Sequence, residues 1–246
     1  MTVYLVGAGP GDPGLITVKG AKVLAEADVV VHDRLVADEL LELAPPGAEV
    51  VSAAKAPRNP TLTQEQINEL LIDKGRQGLT VVRLKGGDPC VFARGGEEAA
   101  ALSAAGVAFE IVPGVTSAIA AASYAGIPVT LRHKALSFTA VTGHEDPASD
   151  LTVDWEAIAK VGGTIVILMG AGRAAGIRDR LIAAGLAPDT PAAYVHWATY
   201  RHQRVWRGGL GGLGREAVPS PSVIIVGAVA EQDLEWFPEA DRGRGL

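Results

Sequence analysis

The sequence predicts an α/β protein of two domains, the first on a mainly parallel sheet and the second on a mixed one. Three observations carry that reading. Up to about residue 112, apolar runs of strand length alternate with helix-like stretches, the pattern of a parallel sheet wound with crossover helices. Beyond Pro113 the strand-like runs follow one another with a single clear helix among them, which favours antiparallel pairs. The 246 residues, 48% of them hydrophobic, suffice for two cores of roughly 120 residues each. The domains are therefore drawn as an N-terminal α/β domain, 1–112, and a C-terminal α/β domain, 113–246.

In chain order, the first domain's strands are expected in "TVYLVG", "ADVVVHD", "AEVVSAA", "TVVRLKGG" and "AFEIVPG". Between them, "LITVKGAKVLAEA", "ADELLELA", "TQEQINELLIDKGRQ" and "GGEEAAALSAAG" space their apolar residues as helices do. Thr63 and Gln66 read as a capping box opening the third helix, and Gly106 as the stop after the fourth. "PGVTSAIAAASYAGIP" begins the second domain with a small-residue helix over 116–125. Strands follow in "LSFTAVTG", "GTIVILMG", "AAYVHWAT", "QRVWRGG" and "PSVIIVGAV", with the intervening helix in "AGIRDRLIAAGL". The polar end "PEADRGRGL" is expected to fray.

Composition narrows the function classes. A net charge of −6 and 5% aromatic residues argue against nucleic acid as a partner. A start without a basic segment, and no uncharged apolar stretch of about 18 residues, argue against secretion and membrane spanning. The single cysteine, Cys90, rules out an internal disulfide, suits a reducing cytoplasm and reads as a packing residue. An anionic small molecule remains open as a ligand, because a site can be locally basic on an acidic chain.

Two glycine-rich turns stand where ligands of open α/β sheets collect, at strand carboxyl ends. The first, "VGAGPGDPG", offers Gly7 and Gly9, with Asp33 placed where a dinucleotide site has its ribose-binding acid. Asp12 occupies the third glycine position, however, and Pro13 lacks the amide that a phosphate-facing helix start supplies. The second, "VVRLKGGDPCVFARGGEE", carries two glycine pairs that let main-chain atoms approach a ligand closely.

With "ADVVVHDRLV", "VPGVTSAIAAASYAGIPVT", "VTGHE", "GTIVILMG" and "PSPSVIIVGAVAE", these segments closely resemble the tetrapyrrole methylase superfamily, in the expected order from Val3 to about Glu231. The "GDPCVFARGGEE" run resembles most closely the branch that acts on uroporphyrinogen III. The resemblance implies a two-domain fold with the active site in the cleft between the domains. It implies S-adenosyl-L-methionine as cofactor and S-adenosyl-L-homocysteine as product. Cofactor contacts fall on Pro10, Gly86, Gly87, Asp88, Val91, Thr116, Ser117, Met169 and Ala198. Met169 taken alone reads as core filler, and Ala198 stands where the family usually has glycine.

The implied reaction methylates uroporphyrinogen III at carbons 2 and 7, giving precorrin-2 through precorrin-1, in cobalamin or siroheme synthesis. No metal is required. Asp33 matches the family's proton acceptor and Lys55 its proton donor; read alone, the first is also a loop or helix cap and the second a solvated charge. Eight substrate carboxylates call for cations, with Arg34, Arg94 and Arg132 expected to bind substrate, and Arg58, His133 and Lys134 close by. The chain departs from the family at Cys90, Ala93 and Ala54. It reads as a single-function methylase, a homodimer by resemblance. The alternatives are a same-fold methylase acting on a later precorrin, a nucleotide-dependent oxidoreductase using Gly7, Gly9 and Asp33, and a sensor that binds the cofactor without turnover.

Overall fold

The computed structural model describes residues 2–53, 62–144 and 152–237. The chain divides into two units, Met1–Thr116 and Ser117–Leu246. The tail expected to fray lies outside the described residues.

The first unit holds strands β1 (Val3–Gly7), β2 (Val29–His32), β3 (Glu49–Ser52), β4 (Val81–Lys85) and β5 (Phe109–Val112). They lie in the order β3-β2-β4-β1-β5, every pair parallel. Because side chains alternate along a strand, each apolar run feeds two cores. Val6, Val30, Val82 and Leu84 face helices α1 (Val18–Leu24) and α2 (Asp38–Leu41). Val3, Leu5, Val29, Val31 and Val81 face α3 (Gln64–Arg76) and α4 (Gly95–Ala104). The capping box at Thr63 and Gln66 is present, and Gly106 follows α4 with φ of 67°.

This order has a consequence for ligands. From β1 the chain crosses β4 to reach β2, whereas from β4 it crosses β1 to reach β5. Neighbouring strands thus send their connections in opposite directions, which opens a crevice outside their carboxyl ends. Both glycine-rich turns leave from those two ends.

The second unit is a mixed sheet of order β6-β7-β10-β8-β9. Its elements are α5 (Ser117–Tyr124), β6 (Phe138–Thr142), α6 (Trp155–Val161), β7 (Thr164–Leu168), α7 (Ala174–Ala183), β8 (Pro191–His196), β9 (Arg204–Gly209) and β10 (Ser222–Val226). β6 and β7 are parallel and the remaining pairs antiparallel. Alanines of α5 pack on Val166, Val195 and Ile225 on one face; α6 and α7 cover Ile165, Ile167 and Ile224 on the other. Helix α6 corrects the expectation of one intervening helix. It has seven residues, is capped by Asp154 and buries only Trp155, so its apolar periodicity is too short to read. Among the described residues no helix is long and apolar enough to cross a membrane.

Candidate active site

At the ends of β1 and β4, the two glycine-rich turns are tied to each other. The Gly9 amide donates to the Gly87 carbonyl (3.2 Å) and the Gly87 amide to the Gly9 carbonyl (2.7 Å). A Cβ on Gly7 would stand 2.5 Å from the Gly114 Cα and 2.7 Å from the Gly87 carbonyl oxygen, so three backbones meet there with no room for a side chain. The Asp88 carboxylate completes the knot by accepting from the amides of Cys90 (2.8 Å) and Gly114 (3.0 Å). Cys90 is exposed, which corrects the packing role expected of it; only its amide is held.

Gly86 differs from its neighbours. A Cβ there would meet nothing closer than the Leu35 Cβ at 3.9 Å. Intrachain packing therefore does not require glycine at this position, and the open main chain suits close approach by a ligand. That space, outside the β1/β4 switch point, fits a compact cofactor gripped by backbone atoms. It does not fit a dinucleotide. The Asp12 carboxylate accepts from the Gly14 amide (2.8 Å) to cap a short 3-10 turn, and α1 begins only at Val18 under a Thr17 cap, so α1 does not open directly on the first turn as the helix of a dinucleotide fingerprint does.

Asp33 follows β2 directly, and its carboxylate caps no helix. Oδ1 instead accepts from Arg83 Nη2 at 2.5 Å, and Oδ2 lies 3.9 Å from Lys85 Nζ. Arg83 and Lys85 are each 2% exposed and Asp33 33%. Both cations project from β4 towards α3 and α4, on the parity of Val81. There Oε1 of Glu98, 0% exposed on α4, accepts from Arg83 Nε (3.1 Å), Lys85 Nζ (2.8 Å) and Gln64 Nε2 (3.2 Å). Burial pushes Lys85 below the usual lysine range, and the neighbouring Arg83 adds to this; Asp33 and Glu98 pull it partly back. The sequence reading passed over Arg83, Lys85 and Glu98. The available signal was two charges at i and i+2 in an otherwise buried strand, which need buried partners.

The remaining candidates are placed as follows. Pro10, Val91, Thr116, Ser117 and Ala198 are half-buried. Arg34 and Arg132 are exposed, with no ion-pair partner among the described residues. Arg94 is exposed but its guanidinium is paired twice with Glu97 (2.9 and 2.7 Å). Lys134 pairs with Glu231. Lys55 and Arg58 lie outside the described residues. Met169 is 53% exposed and is therefore not core filler. The non-glycine residues with positive φ among the described residues are Phe92, Arg94, His133, Met169, Trp197 and Thr199. Each is, or lies next to, a candidate site residue, and backbone strain of this kind gathers at functional loops.

A parallel five-stranded unit with glycine loops at a switch point, joined to a mixed five-stranded unit, defines a class of cofactor-dependent methylases. The chain belongs to the tetrapyrrole methylase family: residues 2–214 match the model described as Tetrapyrrole (Corrin/Porphyrin) Methylases. It is 48% identical over 231 residues to the uroporphyrinogen-III C-methyltransferase of Priestia megaterium, covering 92% of this chain and 97% of that one. It is also 48% identical to the siroheme synthase of Chromobacterium violaceum, over 97% of this chain but only 52% of that protein, so it spans about half of that longer relative. The crystal structure of Uroporphyrin-III C-methyl transferase from Thermus thermophilus complexed with S-adenyl homocysteine is similar at a TM-score of 0.80 and 41% identity, covering 93% of this chain and 98% of that one.

Proposed function

We propose that the chain uses S-adenosyl-L-methionine to C-methylate uroporphyrinogen III at carbons 2 and 7, giving precorrin-2 by way of precorrin-1. The observation that carries the reading is the partly exposed Asp33 carboxylate, held by two buried cations at a strand end neighbouring the tied glycine turns. The identity to the Priestia enzyme over nearly both whole chains supports the choice of substrate.

When bound, the cofactor supplies a sulfonium methyl group to the attacking ring carbon. The chain's own part is positioning. Gly86, Gly87, Pro10 and Val91 offer main-chain and small apolar surfaces to the cofactor, Thr116 and Ser117 its polar contacts at the start of α5, and Met169 and Ala198 further contacts. Asp88 acts through its backbone while its carboxylate holds the turn. Holding reacting groups at contact distance and in line contributes several kcal/mol. Asp33 is the acceptor for the proton that leaves the macrocycle, Lys55 the donor, and Arg34, Arg94 and Arg132 receive substrate carboxylates. We read the enzyme as a cytoplasmic homodimer.

Anaerobic incubation with methyl-labelled S-adenosylmethionine tests the reading. Offered uroporphyrinogen III, the chain is expected to transfer two equivalents of label, recovered in precorrin-2; offered precorrin-2 as substrate, it is expected to transfer none. Label entering only a later precorrin would transfer the assignment to that branch of the family. S-Adenosylhomocysteine is expected to raise the melting temperature and NAD to leave it unchanged, because only a ligand of the folded state stabilises it.

A further inference from the structure

Behind Asp33 lies a group of four charges that the proposed roles do not use in full. Two cations, Arg83 and Lys85, and two anions, Asp33 and Glu98, form one connected set, and three of the four are essentially sealed from solvent. Its wiring is uneven. One oxygen of Glu98 accepts all three donors, while Oε2 is buried without a hydrogen-bond partner among the described residues. An unpartnered buried carboxylate oxygen costs stability, and a buried ion pair is on balance no better for stability than apolar packing. Folding alone therefore does not account for this arrangement. What it does achieve is directional. Only Asp33 reaches solvent, at the carboxyl end of β2, and the cations that face it are themselves immobilised from behind by Glu98.

We propose that Lys85 and Glu98 are positioning residues for Asp33: Glu98 anchors Lys85 and Arg83, and the two anchored cations hold the Asp33 carboxylate in the orientation in which it accepts a proton. This deepens, and rests on, the reading of Asp33 given above. Other charged groups bear on the same point. His32 precedes Asp33, with Nδ1 3.1 Å from the Asp33 carbonyl oxygen, and Arg34 follows it, exposed. From α4, Glu97 feels Lys85, and Arg94 pairs with Glu97. Gln64 on α3 contributes no charge. Against this fixed background, removing one member of the tetrad changes the field at Asp33 with a definite sign. Losing the Lys85 cation favours the protonated acid, and losing the Glu98 anion favours the carboxylate.

The test is a carbon-13 carboxyl titration of Asp33 in the full chain, its resonance assigned by Asp33→Asn, alongside the pH dependence of kcat. In Lys85→Met the Asp33 pKa is expected to rise by about one unit, and in Glu98→Gln to fall by about as much. The acid limb of kcat should move the same way in each, with KM for both substrates unchanged, and Lys85→Arg should restore the wild-type titration. Opposite shifts from two neighbouring substitutions are not what loosened packing produces. Glu98→Gln preserves shape, so it decides the question even if Lys85→Met fails to fold. Unmoved Asp33 titration in Glu98→Gln, with Asp33→Asn inactive, overturns this proposal alone. Wild-type turnover in Asp33→Asn overturns the proton-acceptor reading and the positioning role with it.

Discussion

Two glycines one turn apart in function separate packing from binding. Gly7 has backbone on every side, so Gly7→Ala forces the ends of β1, β4 and β5 apart and is expected to cost about 3 kcal/mol, measured by urea denaturation. Gly86 faces open space. Gly86→Ala should leave the urea midpoint close to wild type while weakening S-adenosylhomocysteine binding, read by calorimetry; unchanged affinity would remove Gly86 from the cofactor site. A third residue gives a pH prediction. His196 on β8 donates from Nδ1 to the Pro221 carbonyl (2.9 Å); burial holds its ring below the usual histidine value, with that hydrogen bond opposing the shift and His202 and Arg204 adding to it. The unfolded chain then binds the extra proton first. Stability should fall as pH drops from about 6.5 through the folded value and then level off. His196→Gln should flatten that decline in melting temperature between about pH 7 and 5.

Elements were legible where periodicity had room to repeat. Helix α3, with 13 residues and a reciprocal cap at Thr63 and Gln66, stood out at once. Thr63→Ala removes the side-chain acceptor for the Gln66 amide and is expected to cost about 1 kcal/mol in chemical denaturation, with Thr63→Ser recovering most of it. The strands were legible for a related reason: β1, β2, β7 and β10 are largely buried on both faces and read as near-continuous apolar runs. Helix α6 escaped because seven residues complete barely two turns. The site was legible only in part. Glycine turns and Asp33 announce themselves by position after a strand. The Arg83 and Lys85 pair, by contrast, acquires meaning only when topology brings α4 over β4, fifteen residues on in the case of Arg83 and Glu98. Likewise, the left-handed backbone at Met169 and around Ala198 leaves no mark in composition.

For the whole molecule, the decisive tension is electrostatic: the chain carries −6, and the proposed substrate is a polyanion. Net repulsion and local attraction respond oppositely to salt, so ionic strength shows which one governs. Exposed charges more than about 10 Å apart are screened at 0.1 M salt, which weakens the diffuse field of the acidic surface early. Arginines in direct contact with carboxylates hold on longer and then weaken as salt rises further. Arg34 and Arg132, exposed and unpaired among the described residues, are the cations available for such contacts, whereas Arg94 must first give up Glu97. If contact pairing governs, KM for uroporphyrinogen III should climb steadily between about 0.1 and 0.5 M salt, while KM for S-adenosylmethionine, for which we propose mainly main-chain contacts, stays nearly level. Arg34→Gln and Arg132→Gln should each raise KM for the porphyrinogen at low salt and reduce its further dependence on salt. Glu97→Gln should lower that KM by freeing Arg94. A KM for uroporphyrinogen III that falls monotonically across the same range would mean that overall repulsion dominates and that these arginines do not hold the substrate.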